Sequence, residues 1–178
     1  MYIELLKKTE PNFPDIASPE SVTAMKIWLC KYKTLAPVKS FATLKTLIIN
    51  GLPDATPSWL SELTQLEYLW IQNPSKIKSL GFLRPLNKLR SLSLSTPPSW
   101  DASKKVIEVE SLAPIAELAE LRNIELFGVF DASKYLAALK QCKNLERARF
   151  NGYAKSTTED FYMTTKAANE FAPDPSLP

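Results

Sequence analysis

Between Ser79 and Ser95 the chain reads SLGFLRPLNKLRSLSLS, with leucines at 80, 83, 86, 89 and 92 and then at 94, so the apolar spacing shortens from three residues to two inside one segment. That change rules out most of what such a chain could fold into. An α-helix turns about 100° per residue, so positions three apart drift by roughly 60° each time and no single face is buried. Pro85 would also remove a helical hydrogen bond. The same phase recurs along the chain. If the leucine opening each LxxLxL is position zero, the zeros are Leu44, Leu66, Leu89, Leu121 and Leu145, with Val22 as a weaker first member. Apolar or small residues follow at plus three and plus five, as in Leu47 and Ile49 or Leu69 and Ile71, and precede at minus nine, minus six and minus three, as in Leu35, Val38 and Phe41. Phe13 and Ile16 fit the first unit. Successive zeros lie 22, 22, 23, 32 and 24 residues apart, one period with a single long gap. Self-similarity at that length signals a solenoid.

Residues outside the leucines keep the phase. The tripeptide LAP recurs at Leu35 and at Leu112, each nine residues before a zero. Gly51, Gly128 and Gly152 all fall at plus seven, and Asn73 takes that slot in the Leu66 unit. Glycine and asparagine tolerate the positive φ of a sharp exit from a strand. With its LxxLxxLxxLxxLxL units, the stretch from Phe13 to Gly152 resembles the leucine-rich-repeat family, in its short class of about 22 residues per turn. One departure stands out: the family's usual Asn or Cys at plus eight is matched only by Cys30. The resemblance implies an α/β solenoid, a right-handed superhelix with one short parallel strand per repeat on the concave face and 3₁₀ or extended segments on the convex face. The competing arrangement is a helical array with leucine-rich faces. One domain is expected over residues 1–178: a cap at 1–12, about six repeats over 13–153 with an insertion at 96–110, and a cap helix and tail at 154–178. STTE at Ser156 to Glu159 has the form of a capping box for that helix.

At 178 residues and 45% apolar content the chain holds one substantial core. The net charge of +3 comes from interspersed signs and describes an ordinary surface. No stretch approaches 18 uncharged apolar residues, so the expectation is a cytoplasmic, non-spanning protein. Cys30 and Cys142 stand five units apart, roughly 20 Å at the strand spacing, so both should be free thiols. Histidine is absent. Its absence removes Ser/His/Asp and Cys/His nucleophilic arrangements and the commonest general base, so no enzyme, cofactor or metal is expected.

Strand alternation sends plus two, plus four and plus six to the concave face. Trp28, Ile48, Tyr68 and Trp70 then gather on neighbouring strands, and clustered exposed aromatics resemble a binding hot spot. Two alternatives are open: the N-terminal segment with Tyr2, Ile3, Leu5 and Leu6 folds over them, or they are isolated side chains. The insertion, TPPSWDASKKVIEVE, should project as a rim loop with Trp100, Lys104 and Lys105 at its tip. With Phe127 further along the plus-six column, the expected partner-binding residues are Trp28, Ile48, Tyr68, Trp70, Trp100 and Phe127. A monomeric protein-binding module is expected, an adaptor, regulatory subunit or inhibitor with a protein partner. The alternative is a nucleic-acid contact through Arg147, Arg149 and Lys155. Lys45, Glu67 and Arg90 share the plus-one column and should form a charge ladder. Glu108 and Glu110 would lie about 6 to 7 Å apart on one strand, yet two acids on one loop do not flank a substrate.

Overall fold

A computed structural model describes residues 1–97, 100, 105–175 and 177. Among them nine strands form: β1 (Tyr2–Leu6), β2 (Ala24–Trp28), β3 (Thr46–Asn50), β4 (Tyr68–Gln72), β5 (Ser91–Ser95), β6 (Ile107–Val109), β7 (Asn123–Phe127), β8 (Val129–Asp131) and β9 (Arg147–Asn151). Seven of them stack in chain order as one parallel sheet, β1-β2-β3-β4-β5-β7-β9, while β6 and β8 pair separately. The register follows the repeat phase: Ala24, Thr46, Tyr68, Ser91, Asn123 and Arg147 lie side by side. Each coil therefore presents the same position to the same face.

Burial explains why. Leu44, Leu66 and Leu89 are fully buried, as are Leu47, Leu69 and Leu92 at plus three and Ile49 and Ile71 at plus five. Each such side chain contributes about 1.5–3 kcal/mol, and only stacking against the next coil removes its edge from water. The chain returns along the outer side through 3₁₀ turns at Ala36–Ser40, Ser58–Glu62, Gly81–Leu83 and Ala138–Gln141, and through one short helical turn, α1 (Ala113–Ala116). Prolines open the turns at Ala36 and Ala113, where a fixed φ and a missing N–H cost nothing. At plus seven the backbone is left-handed at Lys7, Leu29, Gly51, Asn73, Gly128 and Gly152. Thr96, where the long unit departs, breaks that series.

Residues 1–12 do not fold over the concave face. Tyr2–Leu6 pair in register with β2, Tyr2 beside Ala24 and Leu5 beside Ile27, so the segment supplies the edge strand. At the other end α2 (Lys155–Thr165) seals the last coil with Phe161, which is fully buried. The expected capping box does not form: the N-cap is Ala154, without a side-chain hydrogen bond, and Ser156 lies inside the helix. Past α2, Ala168 pairs with Arg147 and covers the outer edge of β9, its carbonyl accepting from the Ala148 N–H at 2.9 Å.

The insertion is not simply a projecting loop. Its Ile107 and Val109 are buried, and β6 lies parallel to β8, with Ile107 opposite Val129. Residues 98, 99 and 101–104, Lys104 among them, lie outside the described residues.

Candidate interaction surface

Trp28 at plus six and Trp70 at plus four belong to strands separated by β3, and their rings meet edge to face with centroids 5.7 Å apart. The pair closes over β3. Ile48, whose neighbours in the ladder are Lys26 and Trp70, is only 4% exposed, which corrects the expectation that it is free for contact. The covered isoleucine therefore presents almost no surface of its own. Trp28, Tyr68 and Trp70 are half-buried.

Polar contacts fix the indoles. Lys26 lies over the Trp28 ring at 5.5 Å and is held there by Glu4 at 2.9 Å, an acid supplied by the edge strand. The Trp70 Nε1–H donates to Ser95 Oγ at 3.3 Å. A hollow of about 230 Å³ separates Trp70 from Phe127, floored by Ser93 and Ser95. Trp100 lies outside this group, with Lys105 5.9 Å from its ring centre, and lines a second hollow of about 420 Å³ with Gly128 and Phe130. The two hollows share Thr96 and Asn151 as wall residues, so Trp100 borders the patch without joining it.

Part of the concave face beyond this group is covered by the chain itself. Past Ala168, the segment crosses from β9 towards β4. Asn169 accepts from Arg149 at 2.8 Å, Glu170 pairs with Arg147 at 3.3 Å, and the Phe171 ring lies 6.0 Å from that of Phe127 with the Arg149 guanidinium 5.0 Å from its centre. The Ala172 N–H donates to Glu125 at 2.8 Å. Pro173 and Pro175 then roof a hollow of about 460 Å³ over Tyr68, Ser91 and Asn123. Burial, together with the charges of Glu125 and Asp174, pushes the Tyr68 phenol up to about 12. Of the expected partner-binding residues, Phe127 is thus already engaged by the segment that follows α2, a contact no repeat signal announces.

The basic group is likewise engaged. Arg147 pairs with Glu146 and Glu170, Arg149 contacts Asn169 and Phe171, and Lys155 meets Glu159 at 3.6 Å. Among the described residues each of these three cations thus has a partner, which lowers the positive charge they offer a phosphate backbone. The plus-one ladder forms as expected, with Glu67 between Lys45 at 3.2 Å and Arg90 at 3.8 Å. Both cysteines are free, and burial pushes the Cys142 thiol up to about 11. Among the described residues no helix is long and apolar enough to cross a membrane, and no group of three or more His, Cys, Asp or Glu is placed to hold a metal ion.

No protein-family profile and no curated protein sequence matches the chain. Solved structures do. Internalin C2 of Listeria monocytogenes is 20% identical with a TM-score of 0.52, over 72% of this chain and 51% of that one. A second internalin of the same species is 19% identical with a TM-score of 0.44, over 72% and 41% of the two chains. A leucine-rich-repeat protein of Leptospira interrogans is 16% identical with a TM-score of 0.43, over 85% and 49%. The chain spans about half the length of the solved proteins it is similar to, and what it shares with the first of them is the fold.

Proposed function

We propose that this leucine-rich-repeat domain is a protein-binding module, an adaptor, regulatory subunit or inhibitor, that grips a protein partner through the Trp28, Tyr68 and Trp70 side of its concave face. The observation carrying this reading is the indole pair on in-register strands, half-buried beside an open hollow and held by Lys26 and Ser95. Preorganised aromatics of this kind supply contact area at little entropic cost. Recognition would be steric rather than catalytic, and the histidine-free sequence suits that role. A monomer in a reducing, cytoplasmic setting belongs to the same reading, with Cys30 and Cys142 as permanent thiols. Trp100 stands at the rim as an accessory contact. Affinity capture from native lysate tests the proposal. Trp70→Glu should lose a specific partner while its circular dichroism spectrum is unchanged, and full retention of that partner by Trp70→Glu would remove the patch from consideration.

A further inference from the structure

A folded binding face that is covered by its own chain describes what it accepts. We infer that the concave groove takes an extended peptide carrying an aromatic residue followed three positions later by an acid, and that residues 169–175 occupy it as an internal stand-in that such a peptide displaces. This rests on the reading of the concave face as a partner site and names the partner's chemistry.

Three features of the covering segment are those of a ligand and not of a cap. The first is its anchor: Phe171 meets Phe127 edge to face and carries the Arg149 guanidinium over its ring, yet is itself 61% exposed, so it adds little to the core. The second is backbone recognition, since the Ala172 N–H donates to Glu125 at 2.8 Å, a side chain pointing out of the sheet. The third is proline content, because Pro173 and Pro175, both lining the hollow over β4, β5 and β7, have a fixed φ and so little conformational freedom to lose. The sealing of the last coil is done elsewhere, by Phe161 and the Ala168 bridge.

The groove also keeps capacity that the segment does not use. Asn123 is 5% exposed and lines the hollow beneath the two prolines; its amide nitrogen donates to Ser91 Oγ at 2.9 Å, while its amide oxygen is buried without a partner. A proline has no N–H to offer it. A buried acceptor left unmet is costly, so a peptide with a donor at this point gains where the internal segment does not. Around the same hollow stand Lys45 and Arg90, which share Glu67, and Arg122, which pairs with Glu146 at 2.9 Å, so three cations meet two acids and the remaining positive charge favours an acidic residue such as Asp174. The internal segment, tethered at an effective concentration of order millimolar, sets the threshold that a competitor has to exceed.

The test uses the full chain and a fluorescein-labelled peptide of the sequence 167–178, followed by anisotropy. Phe171→Ser removes the anchor, and Ala172→Pro removes the N–H given to Glu125; neither touches the leucine core. Both variants should bind the peptide at least tenfold more tightly than the unaltered chain, and Arg149→Ala added to Phe171→Ser should abolish the gain. Equal titration curves for the variants and the unaltered chain, or no binding to any of them, would overturn the inference. Partner capture with Trp70→Glu is read separately, so loss of the peptide result alone leaves the wider binding proposal standing.

Discussion

The indole rings of Trp28 and Trp70 lie 5.7 Å apart, edge to face, across the strand that carries Ile48. The contact makes the candidate surface a single packed unit, so its members should be energetically coupled. Edge-to-face pairs contribute about 0.5–1.5 kcal/mol beyond area burial. A double-mutant cycle of Trp28→Ala and Trp70→Ala, read by urea denaturation, is expected to give a coupling energy in that range. Additive losses would mean that the rings do not meet.

Leu29 occupies the left-handed slot at plus seven with φ 55°, where the later units use Gly51, Asn73, Gly128 and Gly152. A leucine held there is strained by about 1–2 kcal/mol, and at 52% exposure it recovers little through burial. Leu29→Asn should therefore stabilise the protein by about 0.5–1 kcal/mol, visible as a higher urea midpoint with an unchanged m-value.

Much of this was legible from spacing alone, because a strand fixes side-chain direction every two residues and a 22-residue coil repeats that choice. The columns of the observed sheet, the buried zero, plus-three and plus-five positions and the plus-seven turns all follow from it. Periodicity could not show how far the indoles reach. Phase places Ile48 on the concave face, but its burial depends on how the longer side chains of the neighbouring strands, Lys26 and Trp70 among them, are disposed. Tyr2–Leu6 escaped as a strand because no preceding unit marks its phase, and the pairing of Ile107–Val109 escaped because its partners, Val129–Asp131, lie in the next coil. The crossing of the concave face by Phe171 to Pro175 follows from single contacts with Phe127, Arg149 and Glu125, and single contacts leave no pattern in a sequence.

Alkaline stability should report on Tyr68. Its phenol titrates near 12 in the folded chain, above its ordinary value of 10.0, mainly because burial disfavours the phenolate. A raised folded value means the associated stability is full below about pH 10 and falls as pH rises towards 12. Tyr68→Phe is expected to keep more of its neutral-pH stability between pH 10 and 12 than the unaltered chain, measured by urea melts at each pH. Parallel losses in both proteins would contradict this.

The two thiols should behave differently. Cys142 is 7% exposed, and its thiol is pushed up to about 11 by burial, so at pH 8 almost none of it is the reactive thiolate. Cys30 is half-buried, with its Sγ directed at the Leu5 carbonyl at 3.3 Å. Ellman's reagent should titrate one thiol in the native protein and two in urea, and Cys30→Ser should remove the native reaction.

Partner capture, quantified side by side for the unaltered chain, Trp70→Glu on the concave face and Lys39→Glu on the outer 3₁₀ turn, bears most directly on the binding role. The expected result is loss of the specific partner with Trp70→Glu and unchanged capture with Lys39→Glu. Capture that survives Trp70→Glu but fails with Lys39→Glu would place recognition on the convex side and contradict the account.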